Sequence, residues 1–103
     1  MGKTKGRNAL VETDFEKLGE FFKILSEKTR LRILNTLMSG GMCVMHLSEA
    51  VGMSQSATSH QLAVLRRANL VKVTRSGKKL IYSISDEHVR LVLDMALLHI
   101  KEE

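Results

Sequence analysis

The sequence predicts a mainly α-helical domain carrying one small β-hairpin. Three observations predict it. Apolar residues recur at helical spacing early in the chain, as in Phe15, Leu18, Phe21, Phe22 and Leu25. The pattern switches to alternation in "LVKVTR" and "LIYSIS", whose β-branched residues suit strands. The closing stretch, "SDEHVRLVLDMALLHIKEE", returns to helical composition. At 103 residues the chain fits one domain with a modest core.

The elements follow in order. Residues 1–11 are basic and have no apolar run behind them, so they read as a flexible N-terminal arm and not a signal peptide; residues 12–103 make the folded domain. A first helix covers residues 13–25. Ser26 is expected to cap a second helix through "EKTRLRILNTLM", which Ser39–Gly41 ends. "CVMHLSEAVG" gives a short third helix, with Val44, Leu47 and Val51 as its apolar face and Gly52 as its stop. Ser54 caps a fourth helix, "QSATSHQLAVLRRA". "SGKK", with Gly77, turns the hairpin, and Ser85 or Asp86 caps the last helix. A short helix, a glycine turn and a polar-fronted helix form a helix-turn-helix, and a hairpin directly after it forms a wing. The expected fold is a winged helix-turn-helix.

Charge names the first partner. Lys plus Arg number 16 against 11 Asp plus Glu, a net +5 that favours a polyanion such as double-stranded DNA. The fourth helix opens with small hydroxyls and amides that can approach base edges. Gln55, Ser56, Ser59 and His60 are expected to face the major groove, with Ala57, Leu62 and Leu65 packing inward. Gln61 carries the same amide chemistry. Arg66, Arg67, Arg75, Lys78 and Lys79 are placed to meet phosphates. An anionic membrane surface is the second candidate for the charge, but no apolar run reaches the roughly 18 residues of a membrane span, and no membrane partner is expected. The single cysteine, Cys43, excludes an internal disulfide and fits a reducing cytoplasm. No catalytic cluster is evident, so an enzyme is not expected.

The last helix is apolar on nearly every side, through Val89, Leu91, Val92, Leu93, Met95, Ala96, Leu97, Leu98 and Ile100. Such a helix needs cover on every side, and a second copy of a small chain supplies it. A homodimer through the first and last helices is therefore expected.

The same helix carries His88 and His99, eleven positions apart. At ~1.5 Å per residue they stand about 16 Å apart, too far to share one ion within a chain. Asp86 lies two residues before His88 and Glu102 three after His99. Two antiparallel copies of the helix would bring Asp86 and His88 of one chain beside His99 and Glu102 of the other. Two nitrogens and two oxygens in a roughly tetrahedral set suit zinc, with cobalt as a surrogate. The same residues have ordinary uses: a cap, a surface first turn, a cation matched to the helix C-terminus. Spacing alone does not decide between these readings.

The segments "SQSATSHQL" and "LVKVTRSGKKLIYSI" resemble the ArsR/SmtB family of metal-sensing repressors, and the resemblance extends over about residues 13 to 102. It implies a winged helix-turn-helix homodimer whose apo form represses metal efflux or sequestration genes and which zinc releases from DNA. The zinc-sensing branch carries an intersubunit site on the last helix, Asp-x-His, ten residues, then His-x-x-Glu. Asp86, His88, His99 and Glu102 match it at every position. In the implied mechanism the free ring nitrogen of His99 donates to a carbonyl near the end of the recognition helix, such as that of Asn69. The family's second metal site falls on "CVMHL". There Cys43 and His46 share a helix face, but Met45 replaces a cysteine and the arm offers neither Cys nor His, so this site reads as vestigial. The competing reading is a regulator of the same fold answering a non-metal signal.

Overall fold

The computed structural model describes residues 9–102, so most of the arm expected over residues 1–11 lies outside the described residues. The first helix, α1, spans Glu12–Leu25. It is opened by the Asp14 carboxylate, which accepts the Val11 N–H at 2.9 Å. Ser26 does not cap the second helix as expected. Its hydroxyl donates back to the Lys23 carbonyl at 2.7 Å and closes α1. The cap of α2 (Lys28–Leu37) is Glu27, whose carboxylate accepts the Arg30 N–H at 3.0 Å. That bond comes first among the causes that hold the Glu27 carboxyl below the usual glutamate range. A serine followed by a carboxylate offers two caps, and the longer side chain one residue later took the helix.

Helix α3 spans Val44–Val51 and stops at Gly52, whose φ of 72° is the left-handed conformation glycine adopts without cost. Helix α4, Gln55–Arg67, is capped by Ser54, which accepts the Ala57 N–H at 3.1 Å. Strands β1 (Val71–Ser76) and β2 (Lys79–Ile84) pair antiparallel from Val71↔Ile84 to Ser76↔Lys79. Only Gly77 of the two turn residues has positive φ, at 65°, which fits a two-residue turn with glycine first. Helix α5, Glu87–Lys101, starts on Asp86, whose carboxylate accepts the Val89 N–H at 3.2 Å.

The core gathers around α2. Ile33, Leu34 and Leu37 are fully buried there, against Leu47 of α3, Leu62 and Leu65 of α4, Leu70 and Val71 at the hairpin base, and Val89 and Leu93 of α5. Ala57 was expected inside but is exposed. Thr58 takes the inward place, its hydroxyl donating to the Ser54 carbonyl at 2.8 Å. Positions 58, 62 and 65 share one helical stripe, and position 57 falls a hundred degrees outside it. The hairpin is pinned to the chain before α3 by the Met42–Tyr82 bridge, with bonds of 2.9 and 2.8 Å. A side chain at Gly41 would meet Ile81 Cγ2 at 2.7 Å, so that approach requires glycine.

The first and last helices are thinly attached. Helix α1 buries only Leu25, with Phe21 and Ile24 packed partly against the core. Its other side shows Phe15, Leu18 and Phe22 to solvent, each more than half exposed. Helix α5 presents Leu91, Met95, Leu98 and Ile100 in the same way. Among the described residues no helix is long and apolar enough to cross a membrane.

Candidate nucleic-acid interface and metal centre

Two surfaces carry the candidate residues. The first is the front of α4 with the hairpin beside it. Gln55, Ser56, Ser59 and His60 are all exposed, as are Arg66 and Arg67 further along the helix. The buried stripe of Thr58, Leu62 and Leu65 turns Ser56, Ser59 and His60 outward, and Gln55 is exposed as the first residue of the helix. A groove of about 440 Å³ joins the two elements, lined by Ser59 of α4, Lys79, Leu80 and Tyr82 of β2, and Cys43, Val44 and Met45 at the start of α3. Arg75, Lys78 and Lys79 are exposed at the hairpin end of that surface.

Gln61 does not join them. Its side-chain oxygen accepts Arg30 Nε at 3.0 Å, so this amide braces α4 against the start of α2. The arginine is in turn placed by its main-chain bond to Glu27 and lies 3.5 Å from the Ile24 carbonyl. The partners stand 31 residues apart, so no local pattern marks them.

The end of α4 is closed by a pair of main-chain bonds. Asn69, at φ 61°, donates to the Arg66 carbonyl at 3.0 Å, and Leu70 donates to the Leu65 carbonyl at 2.9 Å. This is a Schellman closure with asparagine in the left-handed position. The Asn69 carbonyl, expected as a partner for His99, accepts the Ser85 hydroxyl at 2.7 Å.

The second surface is α5. Asp86 has extended backbone, φ −158° and ψ 176°, which turns its side chain back along the first helical turn. His88 Nδ1 thereby lies 3.6 Å from Asp86 Oδ1, although the two would diverge on a regular helix. The His88 side chain is 90% exposed and that of Asp86 56%. His99 and Glu102 are exposed at the other end, where Glu102 closes the helix by donating to the Leu98 carbonyl at 3.1 Å. Between the two ends runs the exposed apolar stripe of Leu91, Met95 and Leu98. Within one chain, no three His, Cys, Asp or Glu side chains gather among the described residues. The donor types suit zinc: two solvent-facing imidazoles and two carboxylates, with Asp86 Oδ2 making no hydrogen bond among the described residues. Cys43 is the half-buried N-cap residue of α3 and lines the groove above, whereas His46 is exposed one turn on.

Comparison with known proteins agrees with this architecture. The family model described as "Bacterial regulatory protein, arsR family" matches residues 27–73, from the cap of α2 into β1. The HTH-type transcriptional regulator NmtR of Mycobacterium tuberculosis is 48% identical over 75 residues, covering 73% of this chain. The chain spans 62% of that regulator's length. The cadmium resistance transcriptional regulatory protein CadC homolog of Staphylococcus aureus is 34% identical over 86 residues, 82% of this chain and 71% of the relative. Among solved structures, the homodimeric winged helix-turn-helix DNA-binding domain Mb0332 of Mycobacterium bovis superposes with a TM-score of 0.83 at 26% identity. That match covers 88% of this chain and 84% of the other. The relatives named are regulators and none is an enzyme. Their similarity covers the element order, the helix-turn-helix and the wing alike, and the chain belongs to the ArsR family of bacterial regulatory proteins.

Proposed function

We propose that this chain is a zinc-responsive transcriptional repressor, active as a homodimer. The observation that carries the reading is the layout of α5. One Asp–His pair stands at its start, one His–Glu pair at its end, and an exposed apolar stripe of Leu91, Met95 and Leu98 lies between. Antiparallel pairing of two such helices covers the stripe and joins Asp86 and His88 of one chain to His99 and Glu102 of the other. Asp86, His88, His99 and Glu102 would hold zinc there, and the bound ion would link the two subunits, twice per dimer. The relative named for cadmium resistance supports a metal effector over a non-metal signal.

The chain's own residues do the rest. Gln55, Ser56, Ser59 and His60 enter the major groove and read base edges. Arg66, Arg67, Arg75, Lys78 and Lys79 hold the register on the phosphates without reading sequence. In the apo dimer the two α4 helices sit at the spacing of an operator inverted repeat. Ligand exchange across the α5 pair favours a second subunit geometry, in which that spacing no longer fits. Cys43 and His46 bring two donors on one turn and hold no metal tightly in this reading.

The test is an operator titration with and without zinc, using a duplex selected against the apo protein. Zinc is expected to weaken binding by roughly 5–150-fold, the usual range for coupled sites. Equal affinity in both conditions, or a full response in His99→Ala, sinks the proposal. Metal titration should find one tight site per chain.

A further inference from the structure

We propose that Ser85 is the positioning residue that couples the start of α5 to the recognition helix, so that its hydroxyl governs how far zinc alters operator affinity. The inference rests on the zinc reading above and names the part of the fold through which that site is felt.

Ser85 donates twice to the exit of α4. Its hydroxyl donates to the Asn69 carbonyl at 2.7 Å and its main-chain N–H to the Leu70 carbonyl at 3.1 Å. Those two carbonyls belong to the residues whose own N–H groups close α4. Fixing the Asn69 carbonyl fixes the peptide plane after a residue at φ 61°, and with it the last turn of the helix, Arg66 and Arg67 included. On its other side Ser85 is joined by a single peptide unit to Asp86, and His88 follows two residues later. The chain takes a much longer way, running out through β1 and back through β2 before it reaches Asp86. Direct packing is no substitute, because α5 packs on β2 whereas α4 packs on α3 and β1. The base of the hairpin, where Val71 faces Ile84, holds the two ends in register. A rotation of the Asp86–His88 turn is therefore passed to the end of the recognition helix through Ser85.

The main-chain bond does not depend on the side chain, so Ser85→Ala removes the hydroxyl bond alone. The experiment measures zinc affinity and operator affinity for the full chain, wild type and variants, with zinc chloride as the probe. In Ser85→Ala, zinc affinity is expected to be unchanged. The factor by which zinc weakens operator binding is expected to fall about fivefold, the worth of one hydrogen bond. Ser85→Thr, which keeps the hydroxyl, should restore the factor. A full zinc response in Ser85→Ala overturns the proposal, and so does a zinc affinity that drops in step with the response. Wild-type protein that binds no zinc overturns the metal reading itself, a failure seen before any variant is made. Amide exchange on the wild type tests the same point without a substitution. Zinc should alter protection at Asn69 and Leu70, and unaltered protection there overturns the coupling.

Discussion

At Asp86 a single carboxylate serves two ends. Through Oδ1 it caps α5, and in the proposed site it also ligates. The two uses separate by substitution, because asparagine caps a helix about as well as aspartate. Asp86→Asn should keep its unfolding free energy close to wild type and lose zinc affinity. Asp86→Ala should lose the affinity and also about 0.5–2 kcal/mol of stability. Urea unfolding beside zinc titration reads both. Glu27 offers a pH prediction. Its carboxyl is held low in the folded chain, first by the Arg30 N–H. A depressed folded pKa adds stability that is present above the unfolded value and is lost as pH falls through the folded one. Glu27→Gln should therefore lower stability near neutrality, where the contribution is present, and converge on wild type at acid pH, so that the acid limb flattens. Of these caps, Ser54 was legible in the sequence, and Asp86 was legible as one of two candidates beside Ser85. Ser26 and Glu27 were not, because adjacent residues compete and geometry picks the winner.

At the scale of elements, the order of helices and strands was readable because the periods that mark them are local. Gly52, Gly77 and the alternation of "LVKVTR" punctuate the chain where the structure turns. Pairings across the fold were not readable. Arg30 meets Gln61 over 31 residues and Ser85 meets Asn69 over 16, and neither pair leaves a trace in spacing. The exposed front of α4 was readable except at Gln61, which the fold turned to bracing, and the inward place read at Ala57 belongs to Thr58. The hairpin makes a prediction of its own. Lys78 is exposed at the tip and should act on phosphate alone. Lys78→Ala should weaken binding about equally for operator and random duplex, and reduce the salt slope by about 1. Gln55→Ala, by contrast, should narrow the gap between the two duplexes.

At the scale of the whole molecule, α1 and α5 show the same imbalance. Each gives one side to its own core and leaves an apolar side uncovered, with Phe15, Leu18 and Phe22 on α1 and Leu91, Met95 and Leu98 on α5. A charge on this surface should split the dimer. Met95→Glu is expected to sediment as a monomer and to lose zinc and operator binding together, although Met95 touches neither in the proposed arrangement. Wild-type protein should show a melting temperature that rises with concentration.

The thin attachment of α1 has a consequence for abundance. Among the described residues, the apolar attachment of this helix in an unpaired subunit is Phe21, Ile24 and Leu25, with Arg30 reaching the Ile24 carbonyl. Its backbone should open often enough for proteases to cut there. Paired subunits keep it closed. The lifetime of the protein then depends on its own concentration, and subunits left unpaired at low concentration are destroyed first. Trypsin cleavage after Lys17 or Lys23 across a dilution series reads this directly, with faster cutting expected as the protein is diluted.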